Sequence, residues 1–241
     1  MNHTLQPSWK QNIWFSVSLG LLGVIVGYMA AQFMAGRNTP VAVQNPTPSP
    51  QEEAPSYLPP PPVDAEADHI KGNPNARFSL IVYSDFDCPY SKRHHPTLTQ
   101  ITDAYKDQVN VVYRHFPLSF HPTAQIKAEA SECVAELAGN SAFWSFTDAL
   151  YDPAATAPQT KEELVALGGR LDVDEARLDE CISSGKYAGK VKDDMQAGSS
   201  AGVTGTPGNI LVDNSSKETN LLVGARPFEA FKGAIDQALA K

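Results

Sequence analysis

Cys88 is followed by Pro89, Tyr90 and Ser91, so the stretch SDFDCPYSKRHHPTL (Ser84 to Leu98) carries one thiol where a C-x-x-C pair would carry two. Two cysteines at that spacing can cycle between dithiol and disulfide, with the thiolate as nucleophile. A single cysteine can still attack a disulfide or a sulfenic acid, or accept a glutathione cap, but a different thiol must then release it. Asp85 and Asp87 put negative charge beside the thiol and disfavour its anion. Lys92, Arg93, His94 and His95 follow within two turns and can offset them. Ser91 lies one helical turn beyond Cys88, where its hydroxyl is placed to donate a hydrogen bond to the sulfur.

The elements around Cys88 are legible from the apolar pattern. ARFSLIVYSDF is a strand whose continuous apolar run suits a buried central position. A helix is predicted from Cys88 to about Tyr105, with Pro89 in the first turn, where its missing N–H costs nothing. Cys88 therefore stands at the carboxyl end of a strand and the amino end of a helix. Reactive groups of open α/β sheets gather at that edge, and helix amides there favour an anion. VNVVYRHF (Val109 to Phe116) reads as a second, parallel strand, which makes a βαβ unit.

From about residue 122 to 202 only helices are expected. One carries Ile126, Ala130, Cys133 and Leu137. AFWSFTDALY and KEELVALGGRL follow, and a fourth starts near Asp174 with Leu178, Cys181 and Ile182 on one face. KYAGKVKDDMQAGSSAG adds a last one. GNILVD and TNLLVG around the turn NSSKE form a hairpin, and PFEAFKGAIDQALA closes the chain. The order βαβ, helical block, ββα predicts an α/β thioredoxin fold with a helical insertion, at about 121–202.

Composition bounds the rest. The net charge is −8 over 241 residues with no basic stripe, which argues against nucleic acid as a partner. Three cysteines allow one bridge and one free thiol. Ile13 to Ala35 is an uncharged stretch long enough, at about 34 Å as a helix, to cross a bilayer. A cleaved signal peptide is the rival reading, but cuts after Ala35 or Ala31 would place Phe33 or Met29 at −3, where small residues are needed. The expected organisation is a short segment 1–12, a single-pass anchor 13–35, a proline-rich extended linker 36–66, and a domain 67–241 outside the cytoplasm.

YSDFDCPYSKRHHPTL is similar to the DFxCPYCKRxxPxL segment of the DsbA-like thioredoxin-fold thiol–disulfide oxidoreductases, above all the membrane-anchored, Gram-positive BdbD type. VVYRHFPL, HPTAQIKAEASECVAEL, FWSFTDALYD and GVTGTPGNILVD match the same family in the same order, so the resemblance runs from about Asp68 to Lys241. It implies thiol–disulfide exchange on the thiols and disulfides of exported proteins, with a membrane redox partner and no cofactor. It also implies that Thr206 and a cis Pro207 face Cys88 and bind the substrate backbone. Ser91 departs from the pattern, since the family's resolving cysteine belongs there. A one-cysteine enzyme, a domain that keeps the groove without redox turnover, and a serine substituted to trap partners all fit that departure. The alternative function is accordingly a binding or chaperone-like module working through the groove beside Pro207.

Cys133 and Cys181 lie on the apolar faces of two insertion helices. A structural disulfide is the leading reading in an exported protein, beside two buried free thiols or a resolving role toward Cys88. Some members of the DsbA-like family carry a second disulfide in the insertion, which adds weight to the bridge. No metal is expected, because His94 and His95 with Cys88 fit no common zinc spacing. Gly198, Gly202, Gly205 and Gly208 form no phosphate-binding pattern and read as turns.

Overall fold

The computed structural model describes residues 57–241 together with Met29. The predicted anchor (Met29 apart) and most of the proline-rich stretch lie outside the described residues. Among the described residues no helix is long and apolar enough to cross a membrane.

The elements follow in the order β1 (His69–Lys71), β2 (Phe78–Ser84), α1 (Pro89–Tyr105), β3 (Val109–His115), α2 (Ala124–Leu150), α3 (Lys161–Gly169), α4 (Glu175–Ser184), α5 (Ala188–Ser200), β4 (Gly208–Asp213), β5 (Thr219–Val223) and α6 (Phe228–Leu239). The five strands form one sheet in the order β1-β3-β2-β4-β5. β2 and β3 are parallel, as the βαβ reading requires, and every other pair is antiparallel. β1 was not foreseen. Three residues, His-Ile-Lys, are too few to show a period of two, and pairing with β3 (Ile70 with Val112) is what makes them a strand.

Buried on both faces, β2 sends alternate side chains to opposite sides. Phe78, Leu80 and Val82 join Leu98 and Ile101 of α1 and Phe231 and Ile235 of α6 in the larger core, which continues into the insertion through Phe143, Phe146 and Leu178. Ile81 and Tyr83 point the other way, toward Phe116, Val203 and Met195. On that side α5 comes very close. A Cβ added to Gly198 would lie 2.7 Å from the Tyr83 ring and 3.0 Å from that of Phe116, so only glycine fits.

In the insertion, the two helices read from the sequence run together as α2, with a break at Gly139 (φ 84°, ψ 178°). That backbone conformation is one that L side chains rarely adopt. Cys133 of α2 and Cys181 of α4 are joined by a disulfide with Cα atoms 5.9 Å apart and a sequence separation of 48. Closing a loop of that length removes unfolded-state entropy equivalent to about 4 kcal/mol.

The proline-rich stretch is not solvated to its end. Pro60 is buried, and the Leu58 amide donates to Ser200 O at 2.9 Å. Arg114 of β3 donates to Pro61 O (3.1 Å) and Pro62 O (3.2 Å) while its guanidinium grips both oxygens of Asp68 at 2.9 Å. A buried arginine tying down carbonyls 52 and 53 residues away is invisible to composition, which sees only prolines.

Candidate active site

Cys88 is the N-cap of α1, with extended backbone (φ −75°, ψ 119°), and Pro89 opens the helix. Its amide donates to Asp85 O at 3.1 Å, which closes the turn leaving β2. It is the free cysteine among the described residues, and it is 4% exposed. Its Sγ donates to Thr206 O at 3.3 Å. A carbonyl oxygen accepts and never donates, so this contact belongs to the thiol form. The Thr206–Pro207 peptide bond is cis. Residues 118 apart in sequence thus meet at the sheet edge.

Ser91 does not donate to Cys88. Its side chain is buried in the first turn of α1, and its Oγ has no hydrogen-bond partner among the described residues. The extended backbone of Cys88 turns the sulfur toward Thr206 instead. Tyr90 is exposed beside it and carries the Arg93 guanidinium 5.0 Å above its ring.

Asp85 and Asp87, read from the sequence as free charges beside the thiol, are both engaged. The Asp85 carboxylate is buried and accepts from the Asp87 amide (2.7 Å), the Leu118 amide (2.8 Å) and His121 Nδ1 (2.7 Å). Asp87 pairs with the buried Lys127 ammonium and accepts from the Thr123 amide (3.1 Å) and hydroxyl (2.7 Å). Burial pushes the Asp87 carboxyl up, but the bonds from Lys127 and Thr123 outweigh it and hold it below the ordinary value. Two carboxylates that looked like opponents of an anion are therefore brackets, fastening the Cys88 turn to the segment 116–124. A cavity of about 390 Å³ lies there, lined by Phe86, Asp87, Cys88, Lys92, His121 and Gln159 among others.

His94 and His95, though neighbours, diverge. His95 Nε2 meets Asp148 Oδ1 at 2.5 Å, and His94 Nε2 meets Asn209 Oδ1 at 2.8 Å deep in the fold. Burial, helped by the charge of His95, pushes His94 down to about 4, against the raising effect of Asn209. In the unfolded chain histidine titrates near 6.5. As pH falls through the window from about 6.5 to 4, the unfolded state binds the proton first, so stability falls with pH there. The loss is about 3 kcal/mol on complete passage through the window. Urea unfolding of wild type and His94→Gln across that range checks it: the variant should show a visibly flatter profile.

A second buried cluster escaped sequence reading. His69 of β1 and His115 of β3 both place Nε2 on Glu132 Oε1 of α2, at 2.9 and 2.8 Å, and their ligand atoms all lie within 4.8 Å of one another, close enough to share a metal. Lys190 Nζ, 3.2 Å from the same oxygen, supplies a positive charge there. Burial raises the Glu132 carboxyl, but His115 and His69 outweigh it and hold it well below the glutamate range. His69 lies 63 residues from Glu132, a spacing that matches no ligand motif.

A family model, Thioredoxin_4, described as thioredoxin, matches residues 64–237. The chain belongs to this thioredoxin family. Its fold is similar to that of DsbA2 from Pseudomonas aeruginosa (29% identity, TM-score 0.61), over 71% of this chain and 94% of that one. It is also similar in fold to oxidised BdbD from Bacillus subtilis (18% identity, TM-score 0.65), over 78% of this chain and 100% of that one. Among curated proteins, the Na(+)/H(+) antiporter NhaA 3 of Salinispora tropica is 35% identical over 147 residues, which is 61% of this chain and 22% of the antiporter. NhaA 1 of Salinispora arenicola is 31% identical over 180 residues, 74% of this chain and 26% of that protein. The chain spans about a quarter of the length of these curated relatives. What they share with it is a stretch of domain size.

Proposed function

We propose that this thioredoxin-family protein carries out thiol–disulfide exchange on exported proteins, with Cys88 as nucleophile and Thr206–Pro207 as the platform for the substrate backbone. The apolar stretch 13–35 would hold the domain at the outer face of the membrane, within reach of a membrane redox partner. The observation that carries the reading is the meeting of Cys88 Sγ with Thr206 O beside the cis Pro207, with Cys88 also lining a cavity of about 390 Å³.

In the proposed step the Cys88 thiolate attacks one sulfur of a disulfide R–S–S–R″. A Cys88–S–S–R bond forms, and R″–S⁻ leaves and takes up a proton. No net oxidation occurs, so no cofactor is needed. With serine at position 91 the mixed disulfide persists until another thiol resolves it.

Purified protein treated with glutathione disulfide should gain one glutathione on Cys88 by intact-mass measurement, and Cys88→Ala should gain none. A wild-type protein that resists alkylation near neutral pH and takes no glutathione would defeat the nucleophile assignment. Capture of partners by Cys88→Ala at the wild-type level would favour a binding module that uses the groove without sulfur chemistry.

A further inference from the structure

Asp85 joins the two segments that flank Cys88. Its Oδ1 accepts the Asp87 amide, and its Oδ2 accepts both the Leu118 amide and His121 Nδ1. With Asp85 as the carboxylate, an acceptor only, Nδ1 donates in the Asp85–His121 bond. In the neutral imidazole this leaves Nε2 as the basic nitrogen, and the bond to Asp85 is the ring's one hydrogen bond among the described residues. The His121 side chain is 18% exposed, that of Asp85 0%. An imidazole held by a buried carboxylate, in a fixed tautomer, thus lines the same cavity of about 390 Å³ as the Cys88 sulfur. Besides fastening the turn, that arrangement suits proton transfer inside the cavity.

We propose that His121, oriented by Asp85, is the base that activates the external thiol which resolves the Cys88 mixed disulfide. The inference rests on the thiol-exchange reading above and names the group that replaces part of what a second active-site cysteine would do. A small thiol R′–SH enters the cavity and gives its proton to His121 Nε2. R′–S⁻ attacks the sulfur of R, the Cys88–S bond breaks, and Cys88 leaves as a thiolate that recovers the proton from His121. The products are R–S–S–R′ and Cys88–SH, with electrons and protons balanced. His121 is the catalytic residue here and Asp85 a positioning residue.

The test begins from wild type carrying glutathione on Cys88, whose loss is followed by intact-mass measurement over time. Two resolving thiols are compared near neutral pH: 2-mercaptoethanol, a weak acid, and trifluoroethanethiol, which is far more acidic and needs no base. His121→Ala should slow resolution by 2-mercaptoethanol about 10²-fold, the low end for general base catalysis because thiols also ionise unaided. Resolution by trifluoroethanethiol should slow by less than about tenfold, because little proton transfer is left to assist. Added imidazole should restore the slow reaction. Asp85→Asn should reproduce the split between thiols, since an amide lacks the charge that stabilises the protonated ring. His121→Gln serves as a second, hydrogen-bonding replacement, and full uptake of one glutathione certifies that each variant retains a competent Cys88. An equal slowing for both thiols, or none, overturns the assignment while leaving Cys88 exchange intact. A wild type that takes up no glutathione overturns the exchange reading and this inference with it.

Discussion

Ser91→Cys is expected to turn a persistent Cys88 mixed disulfide into a transient one. Positions 88 and 91 are the N-cap and first turn of α1, and side chains three apart on a helix are neighbours. The Ser91 side chain is buried without a hydrogen-bond partner among the described residues, so its replacement breaks no bond seen there. An internal thiol at an effective concentration of about 1 M, far below the ceiling for well-oriented groups, outcompetes 1 mM external thiol about 10³-fold. Mass spectrometry over time should find the glutathione adduct gone from Ser91→Cys, replaced by a disulfide between Cys88 and the introduced thiol, under conditions where wild type retains it. An adduct that lasts equally long in both would mean that the first turn of α1 does not bring the two sulfurs together.

The largest effect on stability is expected from Lys127→Met. Lys127 is fully buried and its ammonium pairs with Asp87, whose side chain is 15% exposed. Breaking a buried pair by removing one partner costs about 3–5 kcal/mol, because a charge is left uncompensated. Asp87 keeps two bonds from Thr123 and some contact with water, which places the expected loss near the lower bound, about 3 kcal/mol. The double variant Lys127→Met, Asp87→Asn should lose clearly less than the single one, since no orphan charge remains. Chemical denaturation of the three proteins measures this, and a single variant within about 1 kcal/mol of wild type would show that the pair is not holding the loop. The Asp87 carboxyl sits below its ordinary value in the folded state. Its contribution is therefore present above about pH 4 and is lost as pH falls below that.

Both predictions concern the same turn, and together they separate two roles. Ser91 concerns what the site can do once Cys88 has reacted, whereas Lys127 concerns whether the turn carrying Cys88 holds its shape. The brackets formed by Asp85 and Asp87 connect them. Each carboxylate reaches across to the segment 116–124, so a change at Lys127 should also loosen the wall of the cavity that Cys88 and His121 share.

The amino-acid sequence alone was sufficient for whatever depends on near neighbours. The unbroken apolar run of β2, Pro89 at a helix start and the apolar spacing on α6 each declare an element within one or two turns. Their order implied the parallel β2–β3 pair and a cysteine at the sheet edge. The meeting of Cys88 with Thr206–Pro207 was legible only through resemblance to a family. Tertiary structure alone decided the rest. Asp85 finds His121 36 residues away, Asp87 finds Lys127 40 away and His69 finds Glu132 63 away. No local period links such pairs, so the charges beside Cys88 read as repulsive when they are in fact bound. β1 is a strand because β3 is there to pair with it. Ser91 makes no bond to the sulfur, and the partner the thiol does find, Thr206 O, is brought in by the chain's far end.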